Sequence, residues 1–394
     1  MMMKTRFRVF FVFLLILCEP AFSQNVTFKA GASKLLYDQR YYHAIFGEKV
    51  APVIPTFGVN IGWKDYSSEP VAAICNHPEY GIAFQVDGLA DAMAIDGPGA
   101  GNIYSLYGYF DRAFVQTQRV RLGYYAGMGL ATCFSKLYDP LTNPHNLILS
   151  APVNSRIKFG LQMQYSLSRR YFAGIGFYFN HSSNGALMCP NRGYNAYEVS
   201  LALGMRNTGD MADRLPEPVD DGFKRRFQFD VQASCGIMSN EEYYYYLEKS
   251  TGVGGNMYIP KYSFAADALY KYSRIHATGV GLDLFVTPLC DEISQYLYLY
   301  RSLDNPDTVK EEFEPVSVGV SILHEMSYRN VSVTAGIGRY LYHNDGVGRY
   351  HSLYQMVHLK YHFVSLADTY VGITLKAHKF MVAESVQFCI GKRF

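Results

Sequence analysis

The sequence predicts an all-β chain: an antiparallel outer-membrane-type β-barrel protein built in two eight-stranded halves. Three observations carry this. Alternation with a period of two recurs along the chain, large apolar residues on one parity and small or polar ones on the other. Tyrosine and phenylalanine number 34 and 26 beside one tryptophan, and only 18% of residues are charged. Beyond the N-terminus, no apolar run reaches the roughly 18 residues a membrane helix needs.

Residues 1–23 read as a signal peptide. Lys4, Arg6 and Arg8 form a positive start, Val9 to Leu17 an apolar core, and Ala21-Phe22-Ser23 a small-x-small cleavage site before Gln24. Cys18 follows a leucine rather than a small residue, which argues against lipoprotein processing. The mature chain is expected to be exported to the outer membrane. A net charge of +2, with no basic cluster, gives no reason to expect a nucleic-acid partner. The six cysteines left after cleavage are too dispersed for a CxxC or zinc pattern and read as small buried or lipid-facing residues, with a disulfide in an oxidising compartment as the alternative.

The strands follow in order. In Ile54–Trp63, Pro55, Phe57, Val59, Ile61 and Trp63 oppose Ile54, Thr56, Gly58, Asn60 and Gly62. In Arg121–Phe134, Leu122, Tyr124, Ala126, Met128 and Leu130 oppose Arg121, Gly123, Tyr125, Gly127 and Gly129. In Lys158–Leu167, Phe159, Leu161, Met163, Tyr165 and Leu167 oppose Lys158, Gly160, Gln162, Gln164 and Ser166. A secreted sandwich also alternates. The small, glycine-rich, partly charged second face favours a barrel whose apolar face meets lipid.

About eight strands precede residue 206 and about eight follow residue 224. Asn207–Gly222, with three Asp, one Glu and two Pro, reads as a linker. This divides the mature chain into 24–206, 207–222 and 223–394. The halves echo each other: "YYAGMGL", "LQMQYSL" and "YFAGIGFYFNH" against "VTAGIGR", "VHLKYHF" and "TYVGITLKAH". Two small, filled barrels are favoured over one barrel of about 16 strands. In the last strand, Val386, Phe388, Ile390 and the terminal Phe394 share one parity. That ending is similar to the signal outer-membrane barrels present to their assembly machinery, an expected partner.

The candidate site lies in Phe177–Val199. Ala173, Ile175, Phe177 and Phe179 form the lipid-facing set, and continuing the strand puts His181 and Ser183 on that wall. On the next strand Asn195 shares parity with Tyr197, Val199 and Leu201, whereas Glu198 points inward. A histidine two residues from a serine on one strand face can act as a general base toward a hydroxyl nucleophile. Hairpin loops also favour His, Ser, Asn and Gly, so composition alone leaves a polar turn as the alternative. No His/Asp/Glu cluster has ligand spacing, so neither a metal nor another cofactor is implied.

The stretch resembles the active-site motif of the lipid A 3-O-deacylases (PagL type), or acyloxyacyl hydrolases: His-x-Ser-Asn, then Pro-Asn-x-Gly, then an acidic residue. Here it reads His181-Ser182-Ser183-Asn184-Gly185, Pro190-Asn191-Arg192-Gly193 and Tyr194-Asn195. The resemblance covers Val26 to Met205, and "HPEYGIAF" and "YDPLTNPHN" are similar to longer, two-part members. It implies an outer-membrane serine esterase acting on an acyl ester of lipid A in lipopolysaccharide, 3-O-linked in the family's type reaction. Ser183 would be the nucleophile and His181 its base. Asn184, Gly185 and Asn191 would shape the oxyanion site, with main-chain N–H groups around Asn184 and Gly185 as donors. Asn195 stands where the family pattern has a glutamate, able to orient the imidazole but not to neutralise it by charge. The second half has no Ser-Asn-Gly after His378, which falls on the inward parity. The rival reading is a non-catalytic outer-membrane barrel with a structural, binding or channel role. Oligomeric state is not legible.

Overall fold

The computed structural model describes residues 24–36, 53–89, 100–134, 136–139, 142–143, 146–188, 191–207, 222–239, 258–346, 351–379 and 382–394. The expected signal peptide, most of the expected linker, Cys189 and Pro190 lie outside the described residues.

Eight strands form the first closed antiparallel barrel: β1 (Gln24–Leu35), β2 (Val53–Lys64), β3 (Glu79–Asp87), β4 (Ile103–Gln116), β5 (Val120–Thr132), β6 (Val153–Ser166), β7 (Tyr171–Ser183) and β8 (Tyr194–Arg206). Closure joins β1 to β8, from Asn25 opposite Arg206 to Leu35 opposite Ala196. The second barrel comprises β9 (Arg226–Ser239), β10 (Tyr258–Lys271), β11 (His276–Val286), β12 (Val316–Tyr328), β13 (Val331–Tyr342), β14 (Leu353–Phe363), β15 (Thr369–His378) and β16 (Val382–Arg393). It closes through β9 and β16. Tandem barrels are therefore the architecture, and the single large barrel is not.

The alternation maps onto two chemically opposite walls. Outward, Phe57, Leu130, Phe159, Leu161, Phe177, Leu201 and Leu203 are exposed, as are Phe229, Ile322 and Phe388 in the second barrel. These large apolar groups would be a liability in water and are suited to lipid. Inward, both lumens are filled rather than open. The first holds Tyr107, Tyr109, Tyr125 and Tyr178 with Lys29, Arg156, Lys158 and Glu198. Small inward residues make room for these rings: a Cβ on Gly127 would meet the Tyr107 ring at 2.7 Å. Arg156 pairs with Asp87 at 2.9 Å and Lys158 with Glu198 at 2.8 Å, and Lys29 donates to Tyr178 Oη at 3.1 Å. Buried charge demands such pairing.

With eight strands each, both barrels begin and finish at one end, here the terminal end. The β7–β8 hairpin lies at the far end. There the first barrel is closed by an apolar cluster including Leu35, Ile54, Leu89, Ile148, Leu149 and Tyr194.

Two helices were not signalled by the alternation. The short α1 (Pro70–Ile74) sits in the β2–β3 connection. The longer α2 (Cys290–Asp304) sits in the β11–β12 connection. Its Ile293 and Leu297 pack with Met238, Ile259 and Phe313, so it covers the far end of the second barrel. Asp291 and Glu292 in its first turn and Arg301 in its last suit the helix dipole. Among the described residues Cys75, Cys290 and Cys389 are free and buried, Cys235 is free and exposed, and Cys133 is buried.

Candidate active site

The site is built on the last residues of β7 and the first of β8, where the strands pair His181 with Asn195. Side chains directly opposite on one sheet face are neighbours. Phe177, Tyr197 and Val199 continue the same wall as exposed apolar groups. The opposite parity behaves differently: Asn180, Ser182 and Glu198 are buried in the lumen. Glu198 is bound there by Lys158 and Asn180, so it is not available to His181.

His181, Ser183 and Asn195 form a hydrogen-bonded line. His181 Nδ1 lies 2.7 Å from Asn195 Oδ1, and His181 Nε2 lies 2.9 Å from Ser183 Oγ. The amide orientation fixes the tautomer. Asn195 Nδ2 donates to the Arg192 carbonyl at 3.1 Å, which turns Oδ1 toward the ring. An amide oxygen only accepts, so Nδ1 carries the proton and Nε2 is left with its lone pair toward Ser183. That is the protonation pattern a general base toward Ser183 requires. Ser183 itself is only 5% exposed.

The turn after Ser183 is ordered by Asn184. Its Oδ1 accepts from the N–H groups of Leu187 at 3.0 Å and Met188 at 3.3 Å. Its Nδ2 donates to the Met188 carbonyl at 2.7 Å and to Ser150 Oγ at 3.2 Å. Gly185 and Ala186 both have positive φ, +66° and +67°. Glycine takes that conformation without strain and alanine does not.

The oxyanion expectation changes in one respect. The Asn184 N–H donates to Asn191 Oδ1 at 3.2 Å, so it is occupied. The Gly185 N–H has no such partner among the described residues and is the main-chain donor that remains. Asn191 sits across the turn, and its amide is the second donor of the right chemistry.

The structure gives several residues roles that the motif does not assign. Gly193 has φ +71°, and a Cβ there would come within 3.3 Å of His181 Cε1 and 3.4 Å of Ser183 Cβ. Glycine is thus required by the close approach of His181 and Ser183 as well as by the backbone. The Arg192 and Gly193 N–H groups donate to the Leu147 and Ile148 carbonyls. That β5–β6 loop is held by Asn146, whose Nδ2 donates to the Lys136 carbonyl at 2.7 Å. The asparagines of "YDPLTNPHN" therefore support the site indirectly. Beneath it, Arg156 reaches Asn180 at 2.8 Å and Ser182 Oγ at 3.4 Å, bracing β7 from the lumen. Among the described residues no group of three or more His, Cys, Asp or Glu is arranged to hold a metal.

His378 is a lumen residue of the second barrel. Its Nε2 lies 2.8 Å from Glu384 and its Nδ1 lies 3.2 Å from the Leu353 carbonyl.

Comparisons with known proteins bear on both barrels. No curated protein matches. Among solved structures, the outer membrane enzyme PagL is 16% identical, covers 45% of this chain and 97% of its own, and superposes with a TM-score of 0.28. A ferric enterobactin receptor mutant from Pseudomonas aeruginosa is 9% identical, with coverage of 90% and 54% and a TM-score of 0.26. At these scores the superpositions add nothing to the topology read from strand pairing. Two family models match: "Lipid A 3-O-deacylase (PagL)" over residues 57–204, and "Acyloxyacyl hydrolase, C-terminal domain" over residues 227–394. One falls on each barrel, together they span most of the sequence, and the chain belongs to the PagL-type lipid A deacylase, or acyloxyacyl hydrolase, family.

Proposed function

We propose that this protein is an outer-membrane serine esterase that removes an acyl chain, the 3-O-linked one by family analogy, from lipid A. The observation that carries the reading is the line Asn195–His181–Ser183 on an outward-facing barrel wall. A hydrolase of a soluble ester has no use for a nucleophile on that face. A hydrolase of a lipid meets its substrate there, laterally, in the membrane plane. With the termini in the periplasm, as the signal peptide reading implies, the far end faces outward, where lipid A resides.

The chemistry follows from the donors and acceptors. Ser183 Oγ attacks the ester carbonyl carbon while His181 Nε2 takes its proton. The Asn195 amide oxygen holds Nδ1–H and so stabilises the imidazolium by a hydrogen bond rather than by charge. The Gly185 N–H and the Asn191 amide receive the developing oxyanion. The imidazolium then protonates the departing sugar oxygen, which leaves as a hydroxyl, and an acyl-serine remains. His181 next draws a proton from water, which attacks that ester, and the imidazolium returns the proton to Ser183 Oγ as the fatty acid leaves. No metal or other cofactor takes part in this scheme.

The test is mass spectrometry of lipid A from cells carrying the wild type or Ser183→Ala. Loss of one acyl chain in the first and none in the second is expected. Identical acyl patterns would favour the non-catalytic barrel instead. A channel role finds no support in lumens packed with tyrosine rings and ion pairs.

A further inference from the structure

The two barrels touch at both ends. At the terminal end, Asp65, just after β2, accepts from Tyr328 Oη and pairs with Arg329 at 2.9 Å, and Arg329 also reaches Ser67 at 3.0 Å. The Phe110 and Tyr328 rings lie 5.0 Å apart. This turn is shaped by His77, whose Nδ1 lies 2.8 Å from the Asp65 carbonyl.

At the far end the contact falls on the candidate site. The Ser239 N–H, at the end of β9, donates to the Ala186 carbonyl at 2.6 Å. Val386 of β16 packs on Gly185: a Cβ there would lie 2.5 Å from Val386 Cγ2. Gly185 and Ala186 are the two positive-φ residues of the turn that follows the nucleophile. An isolated left-handed alanine costs about 1–2 kcal/mol and persists only where its surroundings hold it. Within the first barrel the turn is closed around Gly185 and Ala186 by the Leu187 N–H, which donates to Asn184 Oδ1 at 3.0 Å, and by Asn184 Nδ2, which donates to the Met188 carbonyl at 2.7 Å. Gly185 and Ala186 themselves are also held from outside, by the second barrel.

We infer that the second barrel is a positioning element of the active site: Ser239 and Val386 pin the Gly185–Ala186 turn so that the Gly185 N–H points at the oxyanion. This rests on the esterase reading above. It gives a half without the motif a role in the reaction of the other half. Ser239 and Val386 act through the turn and are not catalytic residues.

The test is kinetic, on the full-length protein refolded in detergent, with p-nitrophenyl butyrate and p-nitrophenyl palmitate. Ser239→Pro deletes the N–H donor, and Val386→Ala opens the packing on Gly185. Complete loss of an oxyanion donor costs about 10²–10³ in kcat, so a misplaced donor is expected to cost about tenfold on both esters with KM little changed. Ala186→Gly removes the strain that the contact restrains and is expected to restore most of that loss in the double variants. A merely structural contact would give no such rescue. Heat-modifiable gel mobility reports barrel folding, and Val386→Ala stands in should Ser239→Pro fail to fold. Unchanged kcat in a folded variant overturns the inference. So does a rise in KM confined to the palmitate ester, which would make the second barrel an acyl-chain wall instead. Ser183→Ala separates the two claims. An active Ser183→Ala enzyme defeats the esterase reading itself, whereas an inactive one beside an unaffected Ser239→Pro and Val386→Ala defeats only the positioning role.

Discussion

Replacing Asn195 with alanine removes the hydrogen-bond partner of His181 Nδ1, the proposed base. Two consequences can be sized from the geometry. The 2.7 Å hydrogen bond from Nδ1–H to Asn195 Oδ1 becomes charge-assisted once His181 is protonated. Such a bond contributes about 1.5–3 kcal/mol, or about 10–150-fold in rate. Without it the imidazole also samples the other tautomer, whose Nε2–H cannot accept the Ser183 proton. A fall in kcat of about 10²-fold is therefore expected, with KM nearly unchanged because Asn195 binds the base and not the ester. Asn195→Asp is the directional control. It keeps an acceptor at Oδ1 and adds a charge, but it turns the 3.1 Å bond to the Arg192 carbonyl into a repulsion. Its activity is expected to lie far above that of Asn195→Ala. The assay is initial-rate hydrolysis of p-nitrophenyl butyrate in detergent, with labelling of Ser183 by a fluorophosphonate as a measure of its nucleophilicity. An Asn195→Ala enzyme within twofold of wild type in both readouts would refute the orienting role.

Three further outcomes follow from the same geometry. Gly193→Ala places a Cβ 3.0 Å from the Ser182 carbonyl and 3.3 Å from His181 Cε1 at φ +71°. The strain of about 1–2 kcal/mol, spent against the base, should lower kcat about tenfold in a barrel that still shows heat-modifiable mobility. Arg156→Met leaves Asp87 buried without its cation, at a cost of about 3–5 kcal/mol, and Arg156→Met with Asp87→Leu should recover much of it. Urea unfolding followed by the fluorescence of the sole tryptophan, Trp63, reads both. At the terminal end, burial raises the Asp65 carboxyl, but hydrogen bonds from Tyr328 and Ser67 and the charge of Arg329 outweigh it and hold the carboxyl below its ordinary range. A depressed carboxylate adds stability that is fully present above about pH 4 and is lost as pH falls through the folded value. The acid limb of thermal stability should therefore flatten in Asp65→Asn, and an unchanged limb would remove Asp65 from the attachment.

The strands were legible because a period of two states, residue by residue, which wall a side chain joins. The same rule puts His181, Ser183 and Asn195 on one face and Glu198 on the other from the sequence alone. What alternation could not state is pairing across distant segments. Nothing in the spacing of Asn146 says that its loop receives the Gly193 N–H, because that contact depends on how a β5–β6 loop folds over the barrel mouth. The occupied Asn184 N–H is hidden for a related reason: a motif that assigns Asn191 to the oxyanion site does not say that its side chain folds back to accept from a residue seven positions away. The helix Cys290–Asp304 was hidden because its apolar face serves a cap on one barrel and not a lipid wall.

The second half shows how little separates a site from a lumen network. Tyr370, Thr374, Lys376 and His378 of β15 are all buried inward, so its histidine is one parity away from the position that His181 occupies. The neighbouring strand adds to the difference. The β15–β16 register shifts between Lys376 and Ala377, where Lys376 opposes Ser385 and Ala377 opposes Ala383. The residue inserted in β16 is Glu384, and it is buried next to the equally buried Ser385. A bulge of this kind sends an extra side chain to one face. Here that face is the lumen, where Glu384 meets Lys261 at 3.0 Å, Lys376 at 2.9 Å and His378 at 2.8 Å. The histidine thus gains a carboxylate but faces away from lipid, in a network that fills the barrel. In the first barrel the histidine faces lipid and has only an amide. The same strand ends have been put to opposite uses, and the difference is one of register before it is one of residue type.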